Sequence, residues 1–273
     1  MQPELSFALL SYRSPELLKL SLNALKKSLT ESKQSYEILV VDSATEENTE
    51  MLLREEFPEI QFVPHKKNVG FRALVNKALS LVKGQTLFLM NADVLFTPGV
   101  IERATSYLEE HPEIGLIGPK QLHFDGSLQQ TCFHFYQPQT ILYRRTWLKH
   151  LSFAKKHLAW FTMEDFDRKH PREVDWIMGS VLITRREHVE KVGFMDDRFF
   201  MYMEDVDWCR RFWEAGLKVV YYPEITVYHY LGKGSARGGL IRSLLFNRLT
   251  WYHIVSGVKY FMKYFGKPTP HLE

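Results

Sequence analysis

Three carboxylates stand within four residues, directly after a run of aromatic and methionine side chains. The apolar run is Phe199–Met203, and the acids are Glu204, Asp205 and Asp207. An ionised carboxylate is costly among apolar neighbours, so such a group is paired with a cation, placed near a metal or kept as a proton acceptor. Because a helical pattern follows as far as Gly216, a favourable charge at a helix N-terminus is the alternative. The segment therefore predicts general-base chemistry or a charged helix start.

A second set of polar side chains could hold a divalent cation. Asn91 and Asp93 follow an apolar strand pattern, and two oxygen-bearing side chains at this spacing can face the same way in an extended segment. Such a pair suits a metal ion that bridges two phosphates, with an Asx turn as the alternative. His229 ends the last predicted strand. A lone His is more often a packed residue, so it becomes a second metal ligand only if the fold brings it to Asp93.

Two earlier segments could contact a nucleotide. Asp42 ends an apolar strand, and its carboxylate can accept hydrogen bonds from a base or a ribose, or cap the following helix. Gly70 lies in the loop Lys67–Arg72 and permits close approach of the backbone to a ligand, and the helix that follows would favour phosphate at its N-terminus. An ordinary turn is the alternative. The spacing of neither a P-loop nor a dinucleotide fingerprint is present.

Alternating strand and helix patterns would position these residues. Apolar runs predict five strands in the first 120 residues, at 5–10, 38–41, 60–63, 86–90 and 114–117. Helical stripes between them predict an α/β fold with a mostly parallel sheet flanked by helices. Ligands bind at the carboxyl ends of the strands in such sheets, where Asp42 and Asp93 fall. Residues 121–172 interrupt the pattern, and further strands are predicted at 181–184, 217–222 and 225–230.

Composition narrows the class of protein. The chain has 273 residues, of which 45% are hydrophobic and 25% charged, the profile of a globular protein. It has no apolar run of about 18 residues, and its first residues lack the features of a secretory signal, so we expect a cytoplasmic protein. Cys132 and Cys209 are far apart in sequence, which predicts two reduced thiols rather than a metal site.

The C-terminal part of the chain is basic and rich in aromatic residues. From Lys233 onward there are seven Lys or Arg residues and one acid, in a chain of net charge +3. We expect a catalytic domain over 1–235 and a helical tail over 236–273, with a helix over 240–265. This helix would either contact an anionic membrane, at the inner face of the cell membrane, or pack on the catalytic core. No recognised nucleic-acid module accompanies the charge, so no nucleic-acid partner is expected.

Taken together, the motifs resemble those of the family 2 glycosyltransferases, and the rhamnosyltransferase-like branch most closely. The resemblance runs from about residue 5 to residue 235, and it is most specific from Gly193 to Arg211. It implies a Rossmann-like GT-A fold and an inverting transfer of a sugar, such as rhamnose, from a nucleotide-diphosphate donor. The implied acceptor is a hydroxyl of a glycan or a lipid-linked molecule in cell-surface polysaccharide synthesis.

The resemblance also implies a role for each matching residue. Asp205 would be the catalytic base with Glu204 beside it, and Asp93 and His229 would hold Mn²⁺ or Mg²⁺. The nucleotide and the sugars would lie along the remaining positions, which are Asp42, Asn68, Gly70, Asn76, Asn91, Trp176 and Gly179.

Two other functions remain open from the sequence. A sugar-phosphate nucleotidyltransferase can use a similar sheet, but it needs a Gly-rich phosphate loop that residues 9–14 lack. A non-catalytic carbohydrate-binding protein could also keep this fold, although the presence of Asp93, Asp205 and His229 together argues against it.

Overall fold

The computed structural model describes residues 2–30, 32–230 and 248–270. Within these ranges the strands are β1 (Leu5–Tyr12), β2 (Tyr36–Ser43), β3 (Gln61–His65), β4 (Thr86–Asn91), β5 (Val94–Phe96), β6 (Ile114–Leu122), β7 (Cys132–Phe133), β8 (Arg172–Glu173), β9 (Trp176–Ile177), β10 (Val181–Arg185) and β11 (Lys218–His229). The α-helices are α1 (Pro15–Leu29), α2 (Glu47–Glu56), α3 (Phe71–Leu81), α4 (Val100–Glu110), α5 (Pro138–Arg145), α6 (Ser152–Phe161), α7 (Arg186–Val192), α8 (Glu204–Glu214) and α9 (Arg248–Lys263).

One large sheet organises these elements. Its strands follow the order β3-β2-β1-β4-β10-β6-β11-β5, and β8 also pairs with β11. The first four strands are parallel to one another, and β10 is antiparallel to both β4 and β6. Because β11 is parallel to β6, six of the nine strands share one direction. The prediction of a mostly parallel α/β sheet with flanking helices is confirmed.

Both faces of the sheet are buried, which explains why its central strands are almost continuously apolar. Alternate residues of β1 enter different clusters: Phe7 and Leu9 pack with the leucines of α1, and Ala8 and Leu10 pack with the apolar side of α3. The helix α1 begins with Pro15 in its first turn, as its sequence predicts. Strand and helix periodicity therefore agree with the packing that they produce.

The second half of the chain differs from the sequence prediction in two respects. The strands predicted at 217–222 and 225–230 are one strand, β11, whose pairing with β6 shifts register between Tyr222 and Thr226. Pro223 has no N–H to donate, and a register irregularity lets the strand continue past it. Residues 121–172 contain β7, α5, a short 3-10 helix at Trp147–His150 and α6, and β7 pairs with β9 in a small second sheet.

The described C-terminal helix, α9, packs on the α/β core. Asp207, the third acid of the cluster, is fully buried and accepts hydrogen bonds from Arg211, Lys263 and Tyr264. Ser256 also donates to the carbonyl of Met201 at 2.9 Å. This acid is therefore a structural anchor for α9. The predicted boundary at 235/236 and the predicted helical residues 240–247 lie outside the described residues.

Two further findings concern the apolar character of the described helices and the state of the two cysteines. None of their helices combines the length and apolar character needed to cross a membrane. Cys132 and Cys209 are both buried and free, as predicted, and burial raises the pKa of the Cys132 thiol to about 11.

Candidate active site

Two adjoining hollows lie at the carboxyl ends of β1, β2 and β4. The first has a volume of about 280 Å³ and is lined mainly by polar and small residues that end these strands or follow them, including Ser11, Tyr12, Ser43, Asn68 and Gly70. The second has a volume of about 330 Å³ and is lined by residues that include Gly179, Glu204, Asp205, His229 and Tyr230. Both linings contain Phe71, Asn91, Asp93 and Met201, so the hollows form one cleft.

Strand pairing brings Asp93 and His229 together. The short strand β5 runs antiparallel to the end of β11, with Val94 opposite His229. The N–H of Tyr230 donates to the carbonyl of Asp93 at 3.0 Å, which extends the pairing by one residue. As a result, Oδ1 of Asp93 lies 3.4 Å from Nε2 of His229, although 136 positions separate them (229 − 93).

The contacts of this pair fit a cation. Oδ1 of Asp93 is buried and has no hydrogen-bond partner among the described residues. A carboxylate oxygen and an imidazole nitrogen facing each other are a donor set for a divalent ion. No cluster of three or more metal-binding side chains occurs within the described ranges, so the chain there offers two ligands and leaves the other positions to water and substrate oxygens.

A strained turn presents Glu204 and Asp205 at the start of α8. Tyr202 and Met203 have left-handed φ values of 68° and 66°, a costly conformation for side chains of this size. Oδ2 of Asp205 accepts a hydrogen bond from the N–H of Gly179 at 3.1 Å, and its Oδ1 accepts from Val206 at 2.9 Å. Both carboxylates line the second hollow, as the base role requires.

Burial makes both of these carboxyl groups weaker acids than usual. It raises the pKa of Glu204, which is only 4% exposed, and the negative charge of Asp205 raises that pKa further. Burial also raises the pKa of Asp205, while the N–H groups of Gly179 and Val206 oppose the shift. The pair therefore favours one negative charge, on Asp205, which suits a proton acceptor working near neutral pH.

We expect Glu204→Gln to remove a pH dependence of stability. Below about pH 4.5 Glu204 is protonated in both the folded and the unfolded chain. As the pH rises, the unfolded chain releases this proton first, because burial raises the pKa of Glu204 only in the folded chain. The free energy of unfolding of wild type therefore falls with rising pH until the pH passes the folded-state pKa. The difference in melting temperature between the variant and wild type should thus increase in favour of the variant between about pH 5 and about pH 8. The increase should be several degrees, since 1 kcal/mol corresponds to roughly 2–4 °C. The exposed control Glu190→Gln should show no such trend; a constant offset for Glu204→Gln would contradict the assigned shift.

Most, but not all, of the residues predicted to contact the base and phosphates of the nucleotide line the first hollow. Asn68, Gly70 and Asn91 line the first hollow. Asp42 does not line it, although its neighbour Ser43 and its strand partner Ser11 do. Asp42 is fully buried, and neither oxygen of its carboxylate has a hydrogen-bond partner among the described residues.

Gly70 and Gly179 are required by close packing within the protein. A Cβ on Gly70, which has a φ of 81°, would collide with the carbonyl oxygen of Phe200. A Cβ on Gly179 would lie 2.8 Å from the ring of Phe71, on the side that faces Asp205. The close neighbour of Gly70 is therefore the protein's own loop, where the sequence predicted a ligand.

Asn76 and Trp176, which the resemblance places along the nucleotide and near the sugars, are not in the lining of either hollow. The amide of Asn76 bonds both to the carbonyl of Met195 at 2.8 Å and to its N–H at 2.9 Å. The indole of Trp176 donates to the carbonyl of His134 at 2.9 Å and stacks on Phe133. Both side chains hold neighbouring backbone in place.

Several lining residues were not predicted from the sequence, namely Ser11, Tyr12, Ser43, Ser180, Tyr202 and Tyr230. Ser11 and Tyr12 end β1 at the same sheet edge where Asp42 and Ser43 end β2, so the position at a strand's carboxyl end was a usable signal. Ser180 had no local signal, because its place depends on the antiparallel pairing of β10 with β4.

Comparison with known proteins decides the family. The sequence profile of Glycosyl transferase family 2 matches residues 6–169, which is more than half of the chain. The chain belongs to glycosyl transferase family 2. Asp205 and His229 lie beyond the matched range, so their roles rest on the geometry of the cleft.

Individual relatives of this family 2 glycosyltransferase agree. An N-acetylglucosaminyl-diphospho-decaprenol L-rhamnosyltransferase from Mycobacterium tuberculosis is 27% identical over 213 residues, covering 73% of this chain and 68% of that protein. The rhamnosyltransferase-like resemblance is thus confirmed. Family membership favours sugar transfer over the nucleotidyltransferase and the non-catalytic alternatives.

Solved structures confirm the GT-A fold. A mannosyltransferase from Pyrobaculum calidifontis, in complex with GDP-Man and Mn²⁺, superposes with a TM-score of 0.54 at 14% identity, covering 96% of this chain and 76% of that one. GalNAc-T7 with UDP, GalNAc and Mn²⁺ gives a TM-score of 0.60 at 13% identity, covering 96% and 55%. At these identities the likeness concerns the fold alone.

Proposed function

We propose that this protein is a metal-dependent, inverting glycosyltransferase that moves a sugar from a nucleoside diphosphate to an acceptor hydroxyl in cell-surface polysaccharide synthesis. The proposal rests on the meeting of Asp93, Asp205 and His229, from three separate elements, in one hollow. Rhamnose is the first candidate for the sugar, and a lipid-linked glycan is the first candidate for the acceptor, because the mycobacterial relative is named for both.

Asp205 is the proposed base. In an inverting transfer the acceptor oxygen attacks the anomeric carbon as the bond to the diphosphate breaks, and the hydroxyl proton passes to a carboxylate. The two backbone N–H donors fix the Asp205 carboxylate, and its raised pKa suits proton uptake. Burial and the charge of Asp205 keep Glu204 protonated, so the negative charge of the pair stays on Asp205.

Asp93 and His229 are the proposed ligands of Mn²⁺ or Mg²⁺. No Lys or Arg lines either hollow in the part of the chain that the structure describes, so a diphosphate there would face Asp93 without a compensating positive charge. A bound divalent ion would supply that charge to the departing diphosphate. The first hollow, with Asn68 and the ends of β1 and β2, would then take the base and ribose.

The proposed activity is tested with a panel of thymidine, uridine and guanosine diphosphate sugars, each with Mn²⁺ or Mg²⁺ and a lipid-linked glycan acceptor. We expect release of the nucleoside diphosphate with one donor and an inverted anomeric configuration in the product by NMR. Release of pyrophosphate from a nucleoside triphosphate and a sugar phosphate would instead establish a nucleotidyltransferase.

The exposed face of α9 is the proposed site of contact with an anionic membrane. One side of the helix is buried on the core, including Ser256 and Tyr260. The other side carries apolar side chains that are at least 45% exposed and recur at helical spacing: Trp251, Val255, Val258, Met262 and, just past the helix, Phe265. With the basic charge of this region, such a stripe suits a membrane interface, where a lipid-linked acceptor is held. This would place the protein at the inner face of the cell membrane.

Co-sedimentation with vesicles tests this contact. Wild type should bind vesicles that contain phosphatidylglycerol more strongly than neutral ones. Val258→Ser with Met262→Ser should weaken binding about 30-fold, since each of the two apolar contacts adds roughly 1 kcal/mol. Leu20→Ser with Met51→Ser, at exposed apolar sites on α1 and α2, is the matched control and should bind as wild type. Equal binding by the α9 variant would show that the stripe is not the contact.

A further inference from the structure

The buried side chain of Gln129 makes two hydrogen bonds to His229. Gln129 is 3% exposed, and its backbone N–H donates to the carbonyl of Gln121 in β6 at 2.9 Å. Its side-chain Nε2 lies 2.6 Å from the carbonyl oxygen of His229, and its Oε1 lies 3.0 Å from Nδ1 of the same residue. A single side chain thus fixes both the backbone and the imidazole of a proposed metal ligand.

The surrounding acceptors determine which way the amide faces. A backbone carbonyl can only accept a hydrogen bond, so the amide atom beside the carbonyl of His229 must be the NH₂ group. The second N–H of that group points to Nδ1 of His123 at 3.1 Å, which accepts it. The reversed amide would set an oxygen against the carbonyl oxygen, so the orientation is not interchangeable.

This orientation dictates the tautomer of His229. Because the amide oxygen of Gln129 can only accept, Nδ1 of His229 must carry the proton. The neutral ring then presents the lone pair of Nε2, which lies 3.4 Å from the unpartnered Oδ1 of Asp93. In the neutral ring, two lone pairs that face each other at this distance repel unless a proton or a metal ion lies between them.

We propose that Gln129 is a positioning residue that holds His229 in the Nδ1–H tautomer, with its Nε2 directed at the cation site, and that His123 completes this arrangement from the other side of the amide. Outer partners of this kind orient metal-binding imidazoles and raise their basicity. The tautomer follows from the hydrogen bonds alone, whereas its purpose in binding a cation rests on the proposed function.

The tautomer is read directly from the ¹⁵N chemical shifts of the His229 side chain in the metal-free protein, at a pH where the ring is neutral, with His229→Asn to assign the signal. We expect protonated Nδ1 and unprotonated Nε2 in wild type. Gln129→Met, which keeps the side-chain length without the amide, should shift the ring toward the other tautomer. Protonated Nε2 in wild type would overturn the proposal.

Binding of Mn²⁺ alone, followed by loss of the free-ion EPR signal, measures the consequence. Gln129→Met should weaken it about 10- to 100-fold, the usual cost of losing an outer partner, and Gln129→Glu, which still accepts from Nδ1, should recover part of the loss. The matched control is Gln130→Met, because Gln130 bonds instead to the carbonyl of Cys132 and to Arg168.

The two readouts separate the two proposals. Wild-type affinity in a natively folded Gln129→Met protein would overturn the positioning role. If wild type itself binds no Mn²⁺ but shows the Nδ1–H tautomer, the metal dependence of the proposed function fails while the assigned tautomer stands.

Discussion

Replacing Asp205 with asparagine should lower the rate of sugar transfer by about 10²- to 10⁴-fold, the usual contribution of a positioned general base. An amide has the shape of the carboxylate, and its single oxygen can still accept one of the two hydrogen bonds that Gly179 and Val206 donate to separate oxygens of Asp205. It cannot take the proton of the acceptor hydroxyl. The loss should therefore appear in kcat, measured as release of the nucleoside diphosphate at saturating donor.

Binding of the donor should survive this substitution, because Asp205 lines only the second hollow. Calorimetric titration with the nucleotide-sugar should give a Kd within about threefold of wild type, a difference below 1 kcal/mol. Asp165→Asn, an exposed acid on a loop, is the control for a charge change and should leave kcat unchanged. Near-normal turnover by Asp205→Asn would remove Asp205 from the base role.

Replacing Asp93 with alanine should abolish the metal-dependent part of nucleotide binding, with a loss of at least about a hundredfold in affinity when Mn²⁺ is present. His229 would remain as the single protein ligand, and one neutral imidazole holds a divalent ion weakly. Titration of the nucleoside diphosphate with and without Mn²⁺ separates the metal-dependent part from contacts made by the first hollow alone.

Two comparisons sharpen this test. Asn91→Ala removes a neighbouring polar side chain that lines both hollows, and its effect should be smaller, because the pairing of Asp93 with His229 remains. Without Mn²⁺, Asp93→Ala should bind the nucleotide at least as well as wild type, since a negative charge next to the diphosphate is gone. Unchanged Mn²⁺-dependent affinity in Asp93→Ala would show that the ion binds elsewhere or is not needed.

Periodicity and strand ends predicted the fold and part of the cleft. Alternating patterns are set locally, so the helices and the parallel half of the sheet could be read from the sequence. The edge positions of Asn91 and Asp93 followed from the rule that ligands bind at the carboxyl ends of strands. The proximity of Asp93 to His229 could be proposed only from the resemblance, because it depends on pairing between β5 and β11, which are far apart in the chain.

Long-range contacts decided the rest. Asp207 and Asp205 lie in the same helical turn, directly after the same aromatic run. Asp207 nevertheless accepts hydrogen bonds from Lys263 in α9 and from Tyr264 just past it, and so holds the C-terminal helix on the core. Asn76 is placed along the nucleotide by its motif, whereas in the fold its amide makes two hydrogen bonds to the backbone of Met195. Gln129 belongs to no motif, and only the fold brings it against His229.

A crystal of the protein soaked with Mn²⁺ and the nucleoside diphosphate of its donor, measured for anomalous scattering from manganese, tests the division of the cleft most directly. We expect one strong peak at about 2.0–2.3 Å from Asp93 and from Nε2 of His229, in contact with the diphosphate, and none at Asp205. A manganese peak on the carboxylates of Glu204 and Asp205, with Asp93 and His229 left without metal, would contradict the assignment of one side to the ion and the other to the base.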